Sequence, residues 1–416
     1  MSRRHNGRSV RERIASGPFR VRILVQTHDP RITKTRVQVF RDQTDHVLRF
    51  DGGPALADLR AQVSAYSGAL AEFTGRTWEP GKASLPPSDR MLLLQEMAQA
   101  AFGRLFRHVD EAREASVRDD LDFYLAHRNL TSVIFDSDLP GIPFDALHHG
   151  RRSNTFDPSG FIGMRASVIH SPVSDKDHRN QETDVRSVGL LGSANVTSVS
   201  MRGPTSIYAV FDEFCAACET TEHTPLVGPD DEPMQVADLA ALFRALSVPR
   251  SVWHLTSHME HFAGTRFFRL DNGLRVQPTD FSLREPSARP LVGEPLVFLN
   301  ICASGQPDLV VDENFPDRLL QMQAGGVIAT HCLVNESFAT AFARRFYRHA
   351  FGIGGGSPAL RSVARSLRDA RRDSFLQDSS VASLCYSFHA LDDFDLPPAD
   401  ASASIVDTDR PEHDAA

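Results

Sequence analysis

From residue 185 to residue 390 the chain alternates short apolar runs with longer segments of helical periodicity, and that alternation leaves few folds open. The apolar runs are VRSVGLLGS (185–193), SVWHLTS (251–257), PLVFLNI (295–301) and GGVIATHCLV (325–334). Helical stretches lie at about 205–221, 235–247, 312–324 and 335–350, and a further one near 357–373. A short apolar run without polar alternation belongs to a strand buried on both faces. Parallel neighbours need long crossovers, which the helical stretches supply. The expected class is therefore α/β, with a largely parallel sheet covered by helices.

The first half reads differently. FRVRILVQT, TRVQVF and HVLRF, between residues 18 and 51, alternate like strands joined by polar turns. From about 55 to 128 the spacing becomes helical, with Pro86, Pro87 and Ser88 as a start signal for the second helix. TSVIFDSDLPGIPFDAL then reads as a strand, a turn and a short Pro-anchored helix, and MRASVIH as one more strand. SDKDHRNQETD (174–184) has no apolar residue and is the expected linker. TRFFRL, DNG and LRV predict a hairpin inserted after the 251–257 strand, turning at Asn272-Gly273. The expected organisation is a basic arm (1–17), a strand-plus-helix accessory region (18–173) packing on a second domain (185–390), and an acidic tail (391–416).

Composition removes several function classes. Net charge is −8 over 416 residues, so nothing global argues for nucleic-acid binding. Five arginines against Glu12 make the arm a solvated terminus by this reading, and it lacks the apolar core of a secretory signal. No window approaches the roughly 18 apolar residues of a membrane span. Five cysteines without an export signal are expected to be reduced thiols in a cytoplasm, leaving one free for chemistry. Cys332 and Cys385 read as core residues. Cys215 and Cys218 have CxxC spacing but no second pair to complete a zinc site, and GIGGGS (352–357) follows a helix and lacks the Lys-Ser/Thr of a phosphate loop.

Two strand ends carry the chemistry. His258 and Cys302 each fall just past the last apolar residue of a run, where open α/β sheets bind their ligands. On neighbouring strands they would emerge at one rim. A cysteine attacks as thiolate, and a histidine can generate it. Ala303, Ser304 and Gly305 are small and offer main-chain N–H groups for an oxyanion. His254 lies inside the strand and reads as a buried support, with His261 in the following loop. A metal site at His254, His258 and His261 is the competing use of these residues, and no carboxylate or thiolate at suitable spacing completes it. No metal or cofactor is expected.

HLTSHME followed by PLVFLNICASG resembles the paired motifs of CHAT-domain proteases, the caspase- and separase-like cysteine peptidases. IFDSDLPGIPFDAL (134–147) is similar to that family's segment before the motifs, residues 324–354 to its post-cysteine strand and helix, and SLCYSFHALDD (383–393) to its closing segment, so the resemblance covers roughly 100–395. It implies a caspase-like α/β/α fold, Cys302 as nucleophile, His258 as acid/base, and an oxyanion site at the backbone of Met259 and Ala303. Met259 stands where the family usually has glycine, and Ala303 where it has an acid.

The resemblance also implies limited proteolysis under control, as in bacterial defence or cell-death pathways. The activator would be a protease or sensor on another chain, or a maturation cut within 303–317 or 174–184. Selectivity for Arg or Lys before the cleaved bond would need acids near the dyad. Glu260, Asp308 and Asp138 are the candidates, with Asp145, Asp312 and Glu313 further choices, and no Arg or Lys lies between Cys302 and Arg318. The alternatives in other classes are a non-catalytic adaptor of the same fold and a metal-dependent hydrolase at the histidine trio.

Overall fold

The computed structural model describes residues 17–29, 32–41, 44–50, 52–74, 88–107, 110–138, 141–150, 153–172, 188–192, 238–247, 249–262, 265–269, 274–284, 288–306, 314–352 and 361–396. The basic arm up to residue 16, the linker, the 205–221 stretch with its CxxC, the Asn272-Gly273 turn, Asp308, Asp312, Glu313 and the tail beyond 396 lie outside these residues.

Strands β1 (Phe19–Asp29), β2 (Ile32–Arg41) and β3 (Thr44–Phe50) lead into helices α1 (Leu56–Thr74), α2 (Ser88–Leu105) and α3 (Glu111–Ala126). β4 (Leu130–Ser137), the one-turn α4 (Ile162–Arg165), β5 (Ser167–Pro172) and β6 (Val188–Gly192) follow. Then come α5 (Leu239–Leu246), β7 (Val252–Ser257), β8 (Met259–Phe262), β9 (Thr265–Arg269), β10 (Arg275–Val276) and β11 (Leu296–Ile301). The chain continues through α6 (Phe315–Gln321), β12 (Gly326–Thr330), α7 (Glu336–Phe351), β13 (Arg361–Ser362), α8 (Val363–Asp378), β14 (Tyr386–His389) and β15 (Asp395–Leu396).

Ten strands form one sheet in the order β3-β2-β1-β4-β5-β14-β12-β11-β7-β6. Of its nine pairings, six are parallel, as the alternating pattern requires. The central strands are the apolar runs of the sequence. Every residue of β11 is buried, because helices cover both of its faces. Phe298 packs with Phe342, Phe346 and Tyr347 of α7 on one side, while Val297 and Leu299 join Phe243 and Leu319 from α5 and α6 on the other. Burying one such phenylalanine contributes about 1.5–3 kcal/mol. β1, in contrast, alternates buried Val21, Ile23 and Val25 with exposed or half-buried positions, as its sequence does.

Caps decide the helix boundaries. Asn335 accepts the N–H groups of Ser337 and Phe338 to start α7, and Gly352, at φ 71°, ends it. α8 begins at Val363, later than its periodicity suggests, because Ser362 accepts the Arg365 N–H there. The predicted insertion after β7 is a three-stranded sheet rather than a hairpin. Residues 259–262, read as loop, pair as β8 against β9. MEHF lacks an apolar run because this strand is half-buried to exposed along its length.

Strand direction reverses once within the central region. β12 pairs antiparallel with β14, so β14, β5, β4 and β1 run opposite to β12, β11, β7 and β6. The join between the N-terminal strands (β1–β5) and the C-terminal strands of the sheet is narrow: β14 meets β5 at the single register pair His389–His170, beside the Ala390 N–H bond to His170 O. Arg371 of α8 reinforces it. Wholly buried, it donates to Asp145 Oδ1 (2.5 Å), to Tyr386 O (2.6 Å) and to Gly163 O (3.3 Å). Two cysteines expected to be reduced thiols, Cys332 and Cys385, are instead joined as a disulfide next to this seam. Their burial agrees with a core position, but strand pairing of the 331–332 segment with Cys385 brings them into bonding range, which spacing alone does not reveal.

Candidate active site

β7 and β11 are adjacent and parallel, and their register runs from Val252–Leu296 to Ser257–Ile301. His258 and Cys302 are the next residue of each strand. Two positions in register on neighbouring strands are about 4.8 Å apart along the hydrogen-bonding direction. The backbone therefore carries both residues to the same carboxyl edge of the sheet. His258 is exposed and Cys302 half-buried, the one free cysteine among the described residues.

The thiol is at rest in this arrangement. Its polar contacts are with Val334, whose N–H donates to Sγ (3.4 Å) and whose carbonyl accepts from it (3.6 Å). Among the described residues no hydrogen bond links it to His258. Burial pushes the thiol above its ordinary pKa; the Val334 and Cys302 N–H groups pull the other way, and Glu336 adds to the rise. A thiol held this way is protonated at neutral pH and a weak nucleophile.

The loop after the cysteine departs from the sequence expectation. Ala303 N–H donates to Cys332 O (3.1 Å), Ser304 N–H to Ile301 O (3.2 Å) and Gly305 N–H to Thr330 O (2.8 Å). All three donors are taken up by backbone carbonyls in this conformation. Ala303 also sits at φ 55°, a left-handed conformation that costs a residue with a Cβ about 1–2 kcal/mol. Side chains stitch the same loop to the end of β12: Ser304 Oγ accepts from Thr330 N–H (3.1 Å) and Thr330 Oγ1 donates to Ile301 O (2.7 Å). A Cβ on Gly305 would stand 3.3 Å from both Thr330 O and the His331 ring, tight for any larger residue. Met259 opens β8 with no positive φ, so no glycine is needed there for backbone conformation.

His254 is wholly buried. It stacks on Phe298, its Nδ1 meets the Tyr347 hydroxyl at 2.8 Å, and burial drives its pKa down to about 3. His261 is exposed on β8. The trio of His254, His258 and His261 does not form a metal-capable cluster among the described residues.

The acids proposed for a substrate pocket disperse. Glu260 forms an ion pair with Arg269 (2.8 Å), so its charge is already answered. Asp138 is exposed just past the carboxyl end of β4, which runs antiparallel to β11, so it leaves from the sheet edge opposite Cys302. Asp145 is fully buried between Arg371 and His170. Arg266, by contrast, donates to Ala303 O at 3.4 Å, in the loop that follows Cys302.

No family model and no curated protein matches the sequence. Solved structures resemble the fold. The separase–securin complex of Saccharomyces cerevisiae aligns over 89% of this chain at 9% identity with a TM-score of 0.51, and this chain spans 30% of that one. The fold is caspase-like. The Arg-specific cysteine proteinase gingipain R aligns over 68% of each chain at 12% identity and a TM-score of 0.41. A complex of Porphyromonas gingivalis RgpB pro- and mature domains aligns over 80% of this chain and 76% of that one, at 9% identity and 0.41. No helix among the described residues is long and apolar enough to cross a membrane.

Sequence reasoning missed the buried polar seam. Its signal was present: three short apolar strands, ASVIH, VIATH and YSFH, each run into a histidine (170, 331 and 389), and all three histidines are buried together.

Proposed function

We propose that this chain is a cysteine endopeptidase of the CHAT type, cutting protein targets with Cys302 as nucleophile and His258 as general acid/base. The observation that supports the reading is the register of β7 and β11, whose last pair, Ser257–Ile301, immediately precedes His258 and Cys302. His258 takes the thiol proton, the sulfur bonds to the scissile carbonyl carbon, and the imidazolium returns the proton to the leaving amine. Water, deprotonated by His258, then breaks the thioester. The Met259 N–H, and the Ala303 N–H once it is released from Cys332 O, would serve the developing oxyanion.

The protonated thiol held by Val334 and the spent donors of 303–305 describe a resting enzyme. Activation then consists of releasing this loop from β12, by a cut within 303–317 or by an activating protein on a separate chain, as in a bacterial defence or cell-death pathway. A cytoplasmic site of action goes with this reading if Cys332 and Cys385 are reduced in the cell. Preference for a basic residue would rest on Asp308, since Glu260 is paired with Arg269. Arg266 beside Ala303 favours a second reading, cleavage after an acidic residue. Neither adaptor nor metal-hydrolase use needs an aligned Cys and His.

The test is labelling with a peptide acyloxymethyl ketone, alongside a peptide-library digest by the intact protein and Cys302→Ala. An adduct on Cys302, and cleavage lost in the folded variant, are expected. Retained cleavage by folded Cys302→Ala refutes the dyad, and the library reports which residue precedes the cut.

A further inference from the structure

His170 on β5, His331 just after β12 and His389 on β14 are buried together at the seam. One ring nitrogen from each lies within 4.8 Å of the other two. His331 is 0% exposed, and neither of its ring nitrogens has a hydrogen-bond partner among the described residues. Two unsatisfied nitrogens on a sealed side chain are a costly arrangement unless something absent from the protein chain binds them.

We propose that these three imidazoles hold one divalent transition-metal ion, with zinc the best match to an all-nitrogen set. Zinc–nitrogen bonds of about 2.0–2.1 Å put tetrahedral ligand nitrogens roughly 3.3 Å apart, so the widest pair closes by about 1.5 Å at most. The outer groups of such a site are in place. His170 Nε2 is hydrogen-bonded to the Asp145 carboxylate, and His389 Nε2 lies 2.7 Å from Ser387 Oγ. Each of these rings thus keeps Nδ1 for the ion while a partner orients it, the usual support of a zinc-bound histidine. Asp145 supplies negative charge behind the His170 ring, and its ion pair with Arg371 offsets part of that charge.

The location gives the ion its role. His170 belongs to the N-terminal strands, while His331 and His389 belong to the C-terminal ones, and the two groups share a single register pair. An ion here pins them together. It also fixes the His331 ring against Gly305, in the loop that follows Cys302. The site is independent of the peptidase reading: its test measures metal and stability rather than cleavage.

The full-length, untagged protein is dialysed with one equivalent of zinc and then against metal-free buffer, and its metal content is measured by mass spectrometry. About one zinc per chain is expected, falling at least tenfold in His331→Ala. A chelator should lower the unfolding temperature and added zinc restore it. In cobalt-loaded wild-type protein, intense visible absorption bands should mark a four-coordinate, nitrogen-rich site, which keeps the proposal testable if His331→Ala does not fold. Wild-type protein that retains no zinc, a folded His331→Ala that retains a full equivalent, or cobalt protein with only the weak bands of a hydrated ion would each overturn it.

Discussion

Replacing Arg371 by methionine tests what holds the two groups of strands together. Arg371 and Asp145 are both 0% exposed, 226 residues apart in sequence, and joined at 2.5 Å. Their charges are out of water, so the pair is worth far less than its Coulomb energy, but removing one member strands the other. Arg371→Met leaves a buried carboxylate beside His170 and frees the Tyr386 and Gly163 carbonyls of their donor. The loss expected is about 3–5 kcal/mol, the range for breaking a buried pair. Asp145→Leu should cost a similar amount by leaving a guanidinium unanswered. The double variant should cost little more than either single one, because no lone charge remains. That is a coupling of about 3 kcal/mol, measured by urea unfolding followed by far-ultraviolet circular dichroism. Additivity within about 0.5 kcal/mol would refute the argument. The pH dependence supplies a second check. Burial alone would raise the Asp145 pKa, but Arg371 and His170 outweigh it and hold it below the ordinary carboxylate value. A depressed carboxyl stabilises the fold above the unfolded pKa, and that stabilisation is lost as pH falls through the folded one. Acidification below about pH 4 should therefore erode the wild type more than the double variant.

Two further outcomes follow from the same side chains. Peptide mapping of the oxidised protein should recover Cys332 and Cys385 in one linked pair, and Cys385→Ala should cost about 2–5 kcal/mol in urea unfolding under non-reducing conditions; free thiols at both positions in unreduced protein would remove that pairing. Asp317 is pushed up to about 6, first by burial, with Asn314, His170 and Arg318 acting against the rise. A raised carboxyl binds more protons folded than unfolded, so its contribution falls as pH rises from about 4 through 6, and Asp317→Asn should gain stability relative to wild type over that window. A difference between the two that stays flat from pH 4 to 7 would rule this out.

The strands β7, β11 and β12 and the residues at their ends were legible in the sequence because burial on both faces demands unbroken apolar runs, and a run's end is visible wherever polarity resumes. Cys302 and His258 could be singled out for that reason. Residues 259–262 were not legible as a strand, since a half-exposed strand paired only within a small side sheet has no such pattern.

What needed the tertiary structure is everything that depends on which strands become neighbours and in which direction. Strand order and register bring His258 and Cys302 to the same edge of the sheet and turn β4 so that Asp138 leaves the far edge, and packing ties Glu260 to Arg269. The N–H groups of Ala303, Ser304 and Gly305 are free in any linear reading; whether they are spent is decided by the carbonyls of Ile301, Thr330 and Cys332, the last two lying well beyond the loop in the chain. The seam is the extreme case. Asp145, His170, His331, Arg371 and His389 come from separate elements, and only packing removes them from water and makes their charges and lone pairs answer one another. Hydrophobic periodicity is a local property and can be read along a chain; the partner of a buried polar group is not.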